Sequence, residues 1–192
     1  MRIIGITGAS GAGKSAVCFE LKKRGAEIVD ADEISRQVSA RGGAAFDELV
    51  DAFGAEILKS DGEIDRRRLG HIVFNDAAKL QLLNKITHKH IFAEMKKRID
   101  KCMADVVVLD VPLLFQADFP FKCDLTVAVT ASAEVRMNRI IKRDGIGAEA
   151  AAERMKNQMT DEEYAKKADI VIENNGELGD LKRLADRVIG EK

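Results

Sequence analysis

Residues 6–17 read ITGASGAGKSAV, and no other stretch constrains the fold of this chain as tightly. An apolar, β-branched run, RIIGI (2–6), leads into it, and a helical pattern, SAVCFELKKRG, follows with a capping serine in front and Gly25 as terminator. A glycine-rich link between strand and helix lets backbone N–H groups turn around an anion, with the positive end of the helix dipole behind them. Two nucleotide chemistries use such a link. Gly11, Gly13 and Ala16 satisfy GxGxxA, and Asp30 and Asp32 lie about 20 residues on, where a dinucleotide site expects a ribose-binding acid. Gly8, Gly13, Lys14 and Ser15 satisfy GxxxxGK[ST] in full.

The second pattern fits better. The extended dehydrogenase form needs glycine where Lys14 stands, and close helix packing there wants a small side chain. The Tyr-xxx-Lys pair of reductases is absent, because Tyr164 is the single tyrosine and Ala168 stands four residues later. The phosphate-loop reading explains each residue. Gly8, Ala9, Ser10, Gly11, Ala12 and Gly13 are small enough for the backbone to wrap phosphates. Lys14 reaches the β- and γ-phosphates, the Ser15 hydroxyl ligates Mg²⁺, and the helix start through Ala16 supplies further N–H groups. The co-substrate is therefore expected to be a nucleoside triphosphate with Mg²⁺, ATP or GTP at this point.

Four more apolar runs, AEIVD (26–30), DVVVLDV (105–111), DLTVAV (124–129) and DIVIEN (169–174), are near-continuous rather than alternating, as parallel strands covered on both faces should be. Helical patterns separate them. The expected fold is α/β, a doubly wound five-stranded parallel sheet of the P-loop NTPase type. One crossover, about 75 residues long and nearly all helical, far exceeds the dozen or so that a crossover needs. It is read as an inserted helical acceptor domain at about 32–104, within a core of 1–31 and 105–192. A basic helix–turn–helix pattern, RMNRIIKRDGIGAEAAAERMKNQM, is read as a helical lid at about 136–160. Arg136, Arg139 and Arg143 share one helix face there, suited to clamping phosphates and excluding water.

A chain of 192 residues suffices for one such domain with an insertion. Its net charge of −1 gives no global attraction to nucleic acid or membrane, and neither partner is expected. No apolar run reaches the roughly 18 residues needed to span a bilayer. The apolar start MRIIGITG is too short for a signal-peptide core. Cys18, Cys102 and Cys123 have no CxxC spacing and read as reduced thiols of a cytoplasmic protein. An N/TKxD guanine motif is missing, which disfavours common GTPases. A small-molecule kinase leads; a kinase for some other hydroxyl or nucleotide acceptor and a slowly hydrolysing nucleotide switch remain the alternatives.

Further segments, in order, resemble one family of small-molecule kinases. VDADEISRQV, FGAEILKSDGEIDRRRLGHIVFND, LDVPLLF, RMNRIIKRDG and AAERMKNQM are each similar to segments of the dephospho-CoA kinases, and the resemblance runs from IIGITGASGAGKS to ADIVIENNGEL. It implies transfer of the ATP γ-phosphate to the ribose 3′-hydroxyl of dephospho-CoA, giving CoA and ADP, the last step of coenzyme A biosynthesis, by a monomer or weak homo-oligomer.

Asp32, just past the second strand, is the candidate to accept or orient the acceptor hydroxyl proton; its other possible duty is to cap the helix that follows. Asp30 reads as structural. Asp110, ending an apolar strand, is a candidate Mg²⁺ ligand beside Ser15. Arg139 and Arg143 are lid candidates for stabilising the transferring phosphoryl, because a guanidinium stays charged and bonds two oxygens at once. Arg66 and His88 are candidate contacts for the acceptor and its pyrophosphate, and Asn174 and Asn175 for adenine. His88 and His90, at i and i+2, do not share a helix face for a metal. Lys89 stands where the family has proline, Ala16 where it commonly has threonine, and Gln116 where it has glutamate.

Overall fold

The computed structural model describes residues 1–74, 76–115, 119–156, 158–176 and 178–190, with the side chains of 178–180 left aside. Gln116 lies outside the described residues. The chain divides into two compact units, one of Met1–Val29 with Cys102–Lys192 and one of Asp30–Lys101.

The first unit is built on a sheet of five strands, β1 (Arg2–Gly8), β2 (Glu27–Asp30), β3 (Val106–Asp110), β4 (Leu125–Thr130) and β5 (Ile170–Glu173), ordered β2-β3-β1-β4-β5. β1 runs parallel to β3 and β4, and β4 parallel to β5. Val127 and Val129 pack with Ile4, Ile6, Val17, Leu21, Leu181 and Val188, so one face is covered by α1 (Lys14–Lys23) and α9 (Leu178–Gly190). Ala128, pointing the other way in the two-residue period of a strand, packs with Ala9 and Tyr164, the latter from α8 (Asp161–Lys167). Cover on both faces is why these strands are apolar throughout.

Two ends depart from expectation. α1 begins at Lys14, and its N-cap is Gly13, with no side-chain cap hydrogen bond; the serine cap expected for this helix is not used. A helix start left without a side-chain cap is suited to an anion. α8 was not foreseen as a separate helix. Its signal is the capping box Thr160-x-x-Glu163, in which each side chain meets the other residue's backbone N–H. Gly25 does terminate α1: it stands at φ +89°, and the Gly25 and Ala26 N–H groups return to the Lys22 and Leu21 carbonyls.

α6 (Ala133–Asp144) and α7 (Ala148–Lys156) form the basic helix pair. Ser132 caps α6 through its hydroxyl, and Asp144 at its end bonds Arg143 and Arg154, tying the two helices.

The second unit is all-helical apart from an isolated bridge, Leu58 to Ile64. It holds α2 (Ala31–Val38), α3 (Phe46–Phe53), a 3-10 turn (Ala55–Ile57), α4 (Arg66–Phe74) and the 25-residue α5 (Ala77–Lys101). Its buried side chains include Ile34, Leu49, Phe53, Leu69, Ile86, Met95 and Ile99.

Candidate active site

β1 ends at Gly8, residues 9–13 form the loop, and Lys14 is the first residue of α1. Helix geometry leaves the first amides of α1 without i−4 acceptors. Ala16 N–H is bent onto the Gly13 carbonyl at 3.0 Å, so the open positions fall on Lys14 and Ser15. The Lys14 ammonium donates to the Gly8 carbonyl at 3.0 Å, which holds it folded over the loop.

The outer side of the loop is tied down by residues far away in sequence. Arg139 donates through Nη1 to the Gly11 and Ala12 carbonyls, each at 3.2 Å, and to the Asn174 carbonyl at 3.0 Å. Asn174 Nδ2 donates to the Ala12 carbonyl at 2.9 Å. Ser10 is held through its N–H by Gln158 Oε1, through its carbonyl by Arg136 Nε and through its hydroxyl by Arg143 Nη2. Carbonyls anchored outward in this way leave the amide side of the loop to an anion, and the guanidinium groups neutralise their partial negative charge.

Packing explains the glycines. A Cβ on Gly13, at φ +94°, would stand 2.1 Å from Asn174 Nδ2, and one on Gly11 would stand 2.6 Å from the Arg136 carbonyl. No side chain fits at either place without moving backbone or a buried amide.

The three arginines of α6 all reach the loop, yet they do not form one solvent face. Arg136 is 7% exposed and is locked onto Ser10 and Gln158. Arg139 was expected to face the transferring phosphoryl; in this structure its donors are taken by Gly11, Ala12 and Asn174. Only Arg143 is largely exposed, with the Asp144 carboxylate beside it raising its already high basicity. The asparagines differ from expectation in the same sense. Asn174 is buried, its amide engaged with Ala12 and Arg139, and Asn175 accepts from Ser132 N–H and donates to Glu173. Both follow the end of β5: Asn174 gives its amide to the Ala12 carbonyl, and Asn175 gives its own to the Glu173 carboxylate.

Asp110, the last residue of the interior strand β3, pairs in register with Ile6 of β1, which places it at the C-terminal end of the sheet, the end from which the loop leaves. Cys18, one turn past Ser15 on α1, approaches Asp110 Oδ2 with its thiol at 3.6 Å. Among the described residues no cluster of three His, Cys, Asp or Glu side chains could hold a metal alone. A hydroxyl and a carboxylate suit Mg²⁺, which takes one or two protein oxygens and fills the rest of its octahedron with water and phosphate.

In the second unit, Asp30 rather than Asp32 is the cap of α2, accepting Glu33 N–H at 2.9 Å. Asp32 lies in the first turn of α2 with its carboxylate exposed. The basic run at the start of α4 is sorted by geometry. Asp65 accepts the Arg67 and Arg68 N–H groups, which pull its carboxyl below the usual carboxylate range, and Arg68 braces the Glu56 and Leu58 carbonyls. Arg66 stays exposed at the first position of α4. On α5, His90 Nε2 meets Glu48 Oε2 at 2.8 Å, while the half-buried His88 ring packs against Phe92 at 5.4 Å between centroids.

The family described as "CoaE: Dephospho-CoA kinase" matches residues 2–180. The chain belongs to the dephospho-CoA kinase family. The dephospho-CoA kinase of Corynebacterium glutamicum is 41% identical over 191 residues, covering 98% of this chain and 98% of that one. That of Fusobacterium nucleatum subsp. nucleatum is 40% identical over 185 residues, covering 96% and 95%. The crystal structure of a Thermus thermophilus protein, 34% identical, superposes with a TM-score of 0.86 over 98% of this chain and 96% of that one. Dephospho-CoA kinases are ATP-dependent enzymes that phosphorylate a hydroxyl group, which accounts for the loop and disposes of the dinucleotide reading. Sequence reasoning missed one pair of residues at this kinase loop. Helical spacing located Arg136 without its burial, and Gln158, seen only as part of a matching segment, carried no signal of its hydrogen bonds.

Proposed function

We propose that this chain transfers the γ-phosphate of ATP to the ribose 3′-hydroxyl of dephospho-CoA, giving CoA and ADP. Support comes first from the phosphate loop, whose carbonyls are anchored outward by Arg139 and Asn174 while Lys14 and Ser15 open the helix behind it. The bond from Pγ to the ADP oxygen breaks, the bond from Pγ to the ribose oxygen forms, and the hydroxyl proton leaves toward the Asp32 carboxylate. In a loose phosphoryl transition state, positioning outweighs early proton removal, so Asp32 orients the hydroxyl and takes the proton late. Capping of α2 by Asp30 leaves Asp32 out of that duty.

Lys14, on leaving the Gly8 carbonyl, binds the β- and γ-phosphate oxygens. Arg143, the exposed arginine of the lid (about 136–160), meets the charge that develops on the transferring group. Arg139 serves the same step indirectly by fixing the loop. Ser15 and Asp110 would hold Mg²⁺, which supplies charge neutralisation across the phosphates. Asn175 and the backbone beside Asn174 border the adenine, and Arg66 and His88 contact the acceptor in the helical unit. The three cysteines are not joined in disulfides, which suits a reducing, cytoplasmic setting. The reading extends to a chain acting as a monomer or weak homo-oligomer.

The test is mass spectrometry of a reaction containing the purified chain, Mg·ATP and dephospho-CoA, beside a no-enzyme control and a panel of other hydroxyl acceptors. Gain of one phosphate on dephospho-CoA alone is expected. Gain on a different acceptor only would replace the substrate and keep the kinase, and ATP binding without transfer to any acceptor would leave a nucleotide switch.

A further inference from the structure

Ser10 is the one loop residue whose N–H, carbonyl and hydroxyl are all bonded, among the described residues, by side chains from beyond residue 130. Gln158 Oε1 accepts the Ser10 N–H at 2.9 Å, Arg136 Nε donates to the Ser10 carbonyl at 3.1 Å, and Arg143 Nη2 donates to the Ser10 hydroxyl at 3.2 Å. Gln158 Oε1 also accepts Arg136 Nη2, again at 2.9 Å. The Ser10 peptide, the Arg136 guanidinium and the Gln158 carboxamide oxygen thus close a ring of hydrogen bonds.

From this ring we infer that Gln158 is a positioning residue for ATP, fixing the crest of the phosphate loop through Ser10 and Arg136. Three features of the ring carry the claim. Arg136 is more than nine-tenths buried, so its donors need acceptors in place, and the Asp161 carboxylate is no closer than 4.0 Å. The Ser10 N–H is taken up by Gln158, whereas α1 begins with no side-chain cap, so the carboxamide anchors the crest and leaves the helix start to an anion. Gln158 lies between α7 and the Thr160 cap of α8, so the far end of the helix pair is fastened to the loop at the same atom.

Side-chain choice follows from the chemistry. The loop crest needs an acceptor for two donors, and a glutamine oxygen provides it without charge. A carboxylate would pair with Arg136 more strongly but would set a negative charge beside the phosphates of ATP.

The inference rests on the reading of residues 8–15 as the ATP site, and the experiment separates the two. Purified wild type, Gln158→Met and Gln158→Asn are compared by calorimetric titration with Mg·ATP, without acceptor, and by steady-state transfer to dephospho-CoA. Methionine keeps the length and loses the acceptor; asparagine keeps the carboxamide but falls one methylene short. Net hydrogen-bond contributions set the scale. Expected is a rise of about five- to tenfold in both Kd and KM for ATP with Met, and about threefold or more with Asn. kcat should stay within about twofold of wild type, and KM for dephospho-CoA should not move. A role confined to packing lowers Tm and leaves ATP affinity alone; that result in either folded variant overturns the inference. Should Gln158→Met fail to fold, the Asn variant decides. A wild type that binds ATP without phosphorylating dephospho-CoA overturns the substrate reading alone, since the titration still measures Gln158. A wild type that does not bind ATP overturns both.

Discussion

The phosphate loop and the helical unit Asp30–Lys101 place their cations in opposite ways. Around the loop, Arg136 and Arg139 point at backbone carbonyls and are half or wholly buried, so their charge shapes a binding surface made of main chain. In the helical unit, Arg66 and Arg67 stand exposed on the first turn of α4, with Asp65 and Arg68 occupied by local caps and turns. One region binds with its backbone and uses side chains as scaffolding. On the proposed reading the other binds the acceptor, and it would do so with side chains, because helical backbone has few groups to offer away from its ends. Backbone sites tolerate few sequences and so announce themselves; side-chain sites on helices do not.

The largest effect should come from Lys14→Ala. Loss of a charged donor to the transferring phosphoryl costs on the order of 10³-fold or more in kcat/KM, measured by coupled ADP release, with circular dichroism unchanged. Near-normal turnover would break the comparison at its first term. Asp32→Asn comes next, about 10²-fold in kcat, with calorimetric ATP affinity kept because the carboxamide still fits the first turn of α2. An unchanged kcat would remove Asp32 from the mechanism.

Asn174→Ala tests the scaffold. It takes a donor from the Ala12 carbonyl and an acceptor from Arg139, leaving buried polar groups short of partners. About 1–3 kcal/mol of unfolding free energy should be lost, read by denaturant titration, together with about a tenfold higher KM for ATP. If stability falls and KM does not, the brace holds the fold without shaping the site.

Strands, loop and the long α5 were legible in the sequence, because apolar runs, glycine spacing and helical period each act over a few residues. The loop's own residues 8–16 could be assigned for the same reason. The roles of Arg139 and Asn174 were not, since each depends on which carbonyl lies across 35 or more positions of chain. Asp30 and Asp32 show the limit at short range: both types cap helices, and only the 2.9 Å bond to Glu33 N–H says that the first one does. α8 was legible in principle from Thr160 and Glu163, but its seven residues are too short to show a period.

Arg66→Ala probes the other side of the comparison. An exposed guanidinium bonded to an acceptor pyrophosphate should be worth about a fivefold change in KM for dephospho-CoA, with KM for ATP untouched. Equal shifts in both constants would mean that the two regions do not divide the substrates between them.

The smallest effect belongs to Asp144, which bonds Arg143 and Arg154 and so links α6 to α7. Its carboxyl is held below the ordinary value of 3.8, first by the Arg143 hydrogen bond and then by the charges of Arg143 and Arg154. A folded-state value that is depressed contributes stability above the unfolded value and loses it as pH falls through the folded one. The link is therefore complete from neutral pH down to about 4 and fades only below 3.8. Both arginines are more than half exposed, so screening keeps the contribution small. Asp144→Asn should lower Tm by a degree or two at pH 7 and at pH 5, with the gap to wild type closing below pH 4. The variant also releases Arg143 from its carboxylate partner, which bears on the arginine that the mechanism leaves exposed. If kcat shifts while Tm does not, Asp144 governs where that guanidinium points, and the α6–α7 pair joins the helical unit as a region that works through aimed side chains.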